Sequence, residues 1–410
     1  MTTISLSHPS EFDELTNMDG IVYFSNYPQQ PKAMWGYDDN INLLRNEIDG
    51  VHPDVWKKIR WHINEYDFVV KDPIINRAFF KYWEIVNEFD IFQNFVKETD
   101  IILHCAEAPG GFIQASNIFL QLDNNTSTKQ KKEKITIDDD GFTTIRKNIN
   151  RQKEYKIFTI SLNKDLPCYK NYNLPSYNKS IMHKQLCITY GKDNTGDINN
   201  WENILYIKKK ARKNMFLVTA DGGFDEGTDF NNKEQLHYQL ILSEIYTAMK
   251  LQAKHGHFIL KMFDIFTETS VHFLYLLSQC YSEVYIYKPK TSRPTNSEKY
   301  VVCKNFLLEQ ETSTLVCNEL ENIKAKIDKS KSKYIDIRLF NDIPISFQQK
   351  VAKMNNIILT NQCNFLKSAL VLCKDVEFLN NYENIIEKTF ERRKAVFADW
   401  SATFNLSSYV

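Results

Sequence analysis

The sequence predicts an α/β fold built on a doubly wound, mostly parallel sheet. Three observations carry that prediction. Short apolar runs alternate with helical segments between about residues 101 and 303, the pattern that crossover connections between parallel strands produce. The first run, Ile101-Ile102-Leu103-His104-Cys105, stops at Pro109-Gly110-Gly111 and resumes as Phe112 to Leu122, which reads as strand, glycine turn and helix. The last two runs, Glu283 to Tyr287 and Tyr300 to Cys303, are joined by a connection with no room for a helix. They are expected to form an antiparallel pair at one edge.

Taken in order, residues 1–70 read as a mixed N-terminal extension with an aromatic, loop-like stretch from Tyr23 to Tyr37. From about Pro73 to Lys97 the apolar residues Phe79, Tyr82, Trp83, Val86 and Phe89 keep helical spacing, with no interior glycine or proline. That helix carries Lys81 and precedes the first core strand. Residues 123–155 are polar, with Lys129, Lys131, Lys132 and Lys134 followed by Asp138-Asp139-Asp140-Gly141, and read as a surface insertion. A solvated loop is preferred there over a nucleic-acid contact. Strands are expected at Ile157–Ser161, Leu186–Tyr190, Met215–Ala220 and His257–Phe263, with helices over 233–254 and 268–281. Residues 306–410 read as a helical C-terminal extension ending with Tyr382 to Trp400, which leaves 71–305 as the central domain. No internal repeat is visible.

The 410 residues carry 51 Lys+Arg and 51 Asp+Glu, a formal net charge of zero. A nucleic-acid enzyme with this balance needs local basic patches, so global charge neither supports nor excludes one. The eight cysteines are scattered without metal-ligand or redox spacing, and read as small buried hydrophobes in a reducing compartment. No apolar run approaches the ~20 residues of a membrane span, and Met1-Thr2-Thr3-Ile4-Ser5 has no leader-like character. A soluble intracellular protein without membrane attachment is expected. There is no metal constellation, no phosphate-binding P-loop and no credible Ser/His/Asp hydrolase.

Four segments carry the chemistry. They are Lys81 in Asn76-Arg77-Ala78-Phe79-Phe80-Lys81, Asp221 in Thr219-Ala220-Asp221-Gly222-Gly223, Lys261 in Phe258-Ile259-Leu260-Lys261-Met262-Phe263, and Glu298 in Ser292-Arg293-Pro294-Thr295-Asn296-Ser297-Glu298. Alone, Lys81, Asp221 and Glu298 read as ordinary solvated charges. Lys261 is different, because it interrupts an apolar run and lysines are almost never buried without a partner. Asp197, in Asp193-Asn194-Thr195-Gly196-Asp197-Ile198, reads locally as a turn or N-cap residue. Lys208-Lys209-Lys210-Ala211-Arg212-Lys213 is the densest basic run, most simply a solvated helix face.

The order Lys81, Asp221, Lys261, Glu298 around Ala108-Pro109-Gly110-Gly111-Phe112 resembles the FtsJ-like RNA ribose 2′-O-methyltransferases, over roughly residues 73–305. Glu107-Ala108-Pro109-Gly110, Asp193 to Ile198 and Leu217 to Gly222 are especially similar to the Adrift-type cap methyltransferases of the second transcribed nucleotide. Ala220-Asp221-Gly222-Gly223-Phe224 and Thr291 to Cys303 are more similar to those of the first. His104 stands where bacterial FtsJ-type enzymes carry an Asp, as in the second-nucleotide group, and its contacts are left open between a ligand and the core.

The resemblance implies a class I methyltransferase fold, S-adenosyl-L-methionine as methyl donor, and capped mRNA as substrate, with a capping-machinery protein as a partner. Ala108, Pro109, Gly110, Gly111, Phe112, Asp197 and Asp221 would hold the donor. Lys261 would be the general base, Lys81 the second cation, Glu298 the partner of Lys81, and Asp221 the residue that orients Lys261. Burial and a neighbouring cation can bring a lysine down to about 7–8, and the two lysines are expected to supply that effect. Arg293, Asn296, Lys208 and Lys209 are the candidate RNA contacts. A ribosomal RNA methyltransferase and a non-catalytic RNA-binding scaffold are the alternatives. Related proteins also occur in large DNA viruses, which the Asn/Lys/Ile-rich composition would suit. A viral protein would work in the cytoplasm or viral factory, a cellular one in the nucleus.

Overall fold

The computed structural model of the chain describes residues 2–7, 15, 18–68, 74–96, 99–127, 135–137, 143–145, 155–223 and 230–406. Its strands are β1 (Thr2–Ser5), β2 (Ile21–Ser25), β3 (Ile101–Cys105), β4 (Ile135–Ile137), β5 (Thr143–Ile145), β6 (Lys156–Ile160), β7 (Leu186–Thr189), β8 (Met215–Ala220), β9 (Gln252–Met262), β10 (Tyr281–Lys288), β11 (Lys299–Phe306) and β12 (Tyr334–Arg338). The main sheet runs β1-β10-β11-β9-β8-β3-β6-β7. From β7 through β6, β3 and β8 to β9 the pairing is parallel. β11 is antiparallel to both β9 and β10. The mostly parallel α/β sheet predicted from the sequence is therefore present. The strand order reverses at β3, so the crevice expected at such a switch point lies beyond the C-terminal ends of β3, β6 and β8.

β3 and β8 are buried at every residue, as strands covered on both faces must be. Alternate side chains serve two cores. Ile102, Leu217 and Ile259 pack with Phe79, Trp83 and Phe112 on one face. Leu103, Val218 and Leu260 pack with Ile241, Ile245 and Leu274 on the other.

Four expectations change. β10 and β11 are antiparallel neighbours, but the outermost strand is β1, paired with β10 from Thr2↔Lys288 to Ser5↔Tyr285. A segment read as extension thus covers a backbone edge that would otherwise lie open. The helix expected to reach Lys97 spans Ala78–Glu88, because Asp90 takes a left-handed conformation (φ 49°) that ends it. The helix expected over 233–254 is two pieces, Lys233–Leu236 and Tyr238–Leu251, and Gln252 already pairs with Met215 in β9. Within 123–155 the helix Gly111–Ser127 continues and β4 pairs with β5. Lys129, Lys131, Lys132, Lys134 and 138–141, like Phe224, lie outside the described residues.

The terminal segments fold onto each other. β2 pairs antiparallel with β12. Helices Asn40–Asp49 and Pro53–Ile63 share a third core with the long helix Ile345–Lys374, through Ile41, Leu44, Ile59, Leu359 and Leu366. The last helix, Tyr382–Thr403, returns to the sheet: Trp400 and Phe404 join Phe80 and Trp83, whose indole donates to the Phe404 carbonyl at 2.8 Å. The Arg393 guanidinium lies 3.7 Å over the Trp61 ring. All eight cysteines are free thiols, with Cys105, Cys280, Cys303 and Cys317 buried. Among the described residues, no helix is long and apolar enough to cross a membrane.

Candidate active site

β8 and β9 are parallel neighbours with Ala220 opposite Leu260. The next residues, Asp221 and Lys261, therefore emerge side by side at the end of the sheet where α/β folds bind ligands. Lys261 Nζ lies 3.2 Å from Asp221 Oδ1 and donates to the Asp221 carbonyl at 2.7 Å. Tyr300, opposite Lys261 in β11, donates its hydroxyl to Asp221 Oδ1 at 3.0 Å. Lys81 Nζ meets Glu298 Oε1 at 2.7 Å, and the Ser292 hydroxyl donates to the same oxygen at 2.9 Å. The four side chains are between 10% and 14% exposed. The structure thus brings Lys81, Asp221, Lys261 and Glu298 into one site, as two ion pairs.

The electrostatics correct one expectation. Burial alone would lower the Lys261 ammonium, but the carboxylates of Asp221, Glu298 and Glu244 outweigh it and hold the group above the ordinary lysine value. The charge of Lys81 is met by Glu298. Glu298 itself is held down at about 2: burial pushes it up, and Lys81 and Lys261 more than reverse that. Two buried carboxyls sit beneath the pairs. Glu107 is driven well above the carboxylate range by burial and by Asp221, and its Oε1 accepts the Phe112 amide at 2.5 Å. Glu244 is raised to about 8, by burial first, and accepts the Gly222 amide at 3.1 Å.

The sequence reading missed what braces Glu298. Glu84, one turn beyond Lys81, is fully buried. It accepts the Tyr287 hydroxyl at 2.6 Å, the amides of Lys290 (2.7 Å) and Thr291 (3.2 Å), the Thr291 hydroxyl (3.0 Å) and the Trp400 indole (3.2 Å). A buried carboxylate is tolerable only with such a full set of donors. The set ties the helix of Lys81 to the loop that holds Ser292. Lys288, pushed down to about 7 chiefly by burial, donates to the carbonyls of Asn296 (2.8 Å) and Glu298 (2.9 Å) and to Asn296 Oδ1 (3.1 Å).

The glycine turn proves to be as much a packing device as a cradle. A Cβ on Gly111 would fall 2.1 Å from Asn76 Oδ1 and 2.9 Å from the Phe79 amide, so glycine lets the Lys81 helix approach. Gly110 (φ 115°) would place a Cβ 2.4 Å from Ile181 Cδ1. Ala108 and Pro109, joined by a cis peptide, are half-buried. Phe112 is wholly buried, stacked on Tyr82 at 4.5 Å, so its ring serves the core. His104 is a core residue as well. Its nitrogens meet Thr219 Oγ1 (2.8 Å) and Ser116 Oγ (3.1 Å), and burial pushes its pKa to about 3. Asp197 accepts the Asn199 amide through Oδ1 at 2.9 Å, the turn geometry anticipated locally. It also lines the cavity below, where Oδ2 carries no hydrogen bond among the described residues.

That cavity, of about 1330 Å³, runs from Leu162 and Asp197 past Lys261 and Glu298 to Arg60, Arg293 and Asn296. It exceeds the roughly 300–1,000 Å³ of a small-ligand pocket, leaving space for a second, larger molecule. Arg45, Trp56 and Gln362 from the terminal segments complete its wall. Lys208 and Lys209 do not reach it. They end the helix Trp201–Ala211, whose N-terminus follows the Asp197 loop and whose C-terminus feeds β8. Their charges suit that helix end, and Lys208 Nζ donates to the Lys250 carbonyl at 3.0 Å. No group of three His, Cys, Asp or Glu suited to a metal occurs among the described residues.

Residues 74–306 match the sequence profile of the FtsJ-like methyltransferases. The chain belongs to the FtsJ-like methyltransferase family. Its Rossmann-like sheet, with antiparallel strands on one side, is the fold of that family. The FtsJ-like chain is 26% identical over 365 residues to the cap-specific mRNA (nucleoside-2′-O-)-methyltransferase 2 of Danio rerio, covering 86% of this chain and 45% of that protein. It is 30% identical over 190 residues to an inactive cap-specific mRNA (nucleoside-2′-O-)-methyltransferase 1B of Caenorhabditis briggsae, covering 43% and 22%. It thus spans less than half the length of these relatives. A crystal structure from Plasmodium falciparum, described as a ribosomal RNA methyltransferase, covers 57% of this chain and 99% of its own at 20% identity and a TM-score of 0.37, too loose a likeness to carry an argument.

Proposed function

We propose that this chain transfers a methyl group from S-adenosylmethionine to a ribose 2′-hydroxyl near the 5′ cap of mRNA. The observation that carries the proposal is the pairing of Lys81 with Glu298 and of Lys261 with Asp221 where Lys261 and Glu298 line a cavity large enough for two ligands. The residues present fit the methyl donor: the Asp197 carboxylate has an oxygen to spare for an exocyclic amine, and Ala108 and Pro109 stand half-buried at the end of β3. When bound, the donor supplies an electrophilic methyl group.

Lys261 acts as the base. Its nitrogen is fixed by the carbonyl and carboxylate of Asp221, and it faces the cavity. In the unliganded protein it is an ammonium, held so by its carboxylate neighbours. RNA filling the cavity strips water from it and adds to the burial penalty on the charged form, so its pKa falls as substrate enters. It then accepts the hydroxyl proton, an effect worth roughly 10²–10⁴-fold. Lys81, anchored by Glu298, orients the ribose oxygen, and alignment supplies a further large share of the acceleration.

The names of the relatives support a cap-proximal substrate over ribosomal RNA, and a protein of the capping machinery would then deliver it. A viral source rests on composition alone. The test is transfer of labelled methyl from S-adenosylmethionine to a short capped RNA, with wild type and Lys261→Ala side by side. Uncapped RNA and RNA premethylated at its first nucleotide serve as parallel substrates. Label in capped RNA that disappears with Lys261→Ala is the expected result, and label in the premethylated RNA assigns the second nucleotide. No transfer to any substrate from folded protein would overturn the proposal in favour of an RNA-binding scaffold, for which the inactive relative is a precedent.

A further inference from the structure

We propose that Arg60 and Arg293 form a subsite for one phosphodiester of the RNA strand, with Trp56 stacking on the adjoining base. The polymer in this statement rests on the function proposed above; the subsite rests on its own geometry. Arg60 and Trp56 lie four residues apart on the helix Pro53–Ile63, so they share one face. Both line the cavity that also holds Lys261, Glu298 and Arg293.

The charge at this place is unbalanced. Arg60 and Arg293 make no side-chain hydrogen bond or ion pair among the described residues, and Arg293 lies close enough to act on Arg60. Burial and the Arg293 charge both lower the pKa of Arg60, with only Asp67 opposing. Asp67 is already engaged by Arg77, which gives its other terminal nitrogen to the Thr291 carbonyl at 2.9 Å. Arg293 weighs on Arg77 too. Asp67 thus serves Arg77 before Arg60, Glu298 is paired with Lys81, and the other carboxylates of the cavity wall, Asp49 and Asp197, form no ion pair with either arginine among the described residues. A fold that holds two unpaired guanidiniums at the wall of a cavity is prepared for an anion, and a planar fork of donors matches phosphate geometry. An indole one turn away supplies a sequence-tolerant base platform. Arg60 and Trp56 stand outside the family-matched residues 74–306, so the terminal wall, and not the shared methyltransferase core, supplies two of the three side chains of this subsite.

Fluorescence anisotropy with a labelled single-stranded RNA octamer, capped and uncapped, over a range of salt concentrations, tests the assignment. Arg60→Ala is expected to weaken binding about 10-fold for both RNAs and to reduce the log–log salt slope by roughly 0.7–1. Arg60→Lys should recover most of the affinity and the slope. Trp56→Ala should weaken binding with the slope unchanged, and Lys331→Ala, an exposed lysine outside the cavity lining, should change neither. Melting temperatures check that each variant is folded. Unchanged affinity and slope in Arg60→Ala would overturn the subsite, as would a loss confined to capped RNA, which would assign the anion to the cap triphosphate. Methyl transfer is measured separately on the same proteins. Wild type that binds RNA in an Arg60-dependent way without methylating it overturns the catalytic proposal and leaves the subsite. Wild type that methylates RNA with Arg60→Ala indistinguishable from it does the reverse, and wild type that binds no RNA overturns both.

Discussion

The two ion pairs of the candidate site are built differently. Asp221 and Lys261 extend adjacent central strands whose backbones are locked by the ladder from Leu217↔His257 to Ala220↔Leu260. Lys81 and Glu298 come from a helix and a loop, and reach each other only because Glu84, Ser292 and Lys288 hold that loop. The strand-borne pair has almost no freedom. The loop-borne pair is positioned through buried charges, each of which has to be fully satisfied. In the proposed mechanism the proton is transferred on the strand-borne half, and the substrate is aligned by the half whose position depends on its supports.

The largest expected effect would break the strand-borne half. Lys261→Ala should lower the methylation rate by roughly 10²–10⁴-fold while the protein remains folded and binds the methyl donor; a loss below tenfold would deny Lys261 the base role. The loop-borne half should give way more gently. All five partners of Glu84 are donors, so Glu84→Gln sets one donor against another. It should cost about tenfold in kcat with donor affinity unchanged by calorimetry, an order of magnitude typical of misplaced catalytic groups. Equal losses in both would mean a general structural role.

The pH profile sharpens the comparison. kcat/KM reports the free protein, in which Lys261 sits above the ordinary lysine value of 10.5. It should therefore climb with pH throughout the neutral and mildly alkaline range, whereas kcat should level off earlier. A plateau of kcat/KM near neutrality would move the base role to another group.

Glu244 offers a stability test. Its carboxyl holds a proton up to about 8 in the folded state, against an ordinary value of 4.5. The native state thus binds a proton that the unfolded chain has released, and stability falls as pH rises from 4.5 to 8. Glu244→Gln should flatten that slope in thermal melts, gaining on the order of 1–3 kcal/mol at pH 8 and nothing at pH 4. The smallest effect is expected from Trp400→Phe, which removes one donor from Glu84 and should cost about 1 kcal/mol of stability, with only a few-fold loss in kcat.

Much of the central sheet was readable because its signals are local. Lys261 breaks an apolar run, and the Pro109-Gly110-Gly111 turn follows a strand and opens a helix. Glu84 carries a signal of the same kind, a charge between Trp83 and Ile85 on a buried helix, and could have been found by the same rule. Trp56 and Arg60 carry no such mark. They line the cavity only because their helix packs on Ile345–Lys374, a contact that no local pattern encodes. β1, β2 and β12 were missed for the same reason, being short strands whose partners lie hundreds of residues away. The raised pKa of Lys261 depends on three carboxylates from three separate elements, so spacing alone pointed in the wrong direction.

Synthesis runs from one end of the chain to the other, and the pairing of Ile21 with Arg338 makes the order of assembly matter. At roughly 5–20 residues per second, the helix carrying Trp56 and Arg60 leaves the ribosome on the order of tens of seconds before Ile345–Lys374, against which it packs. The sheet with Asp221 and Lys261 can close in that interval, since β11 ends at Phe306. A nascent chain therefore completes the sheet that carries Asp221 and Lys261 first and the cavity wall built on Ile345–Lys374 last. Translation arrested between the two would leave Trp56 and Arg60 on a helix without its packing partner, and the cavity wall unfinished.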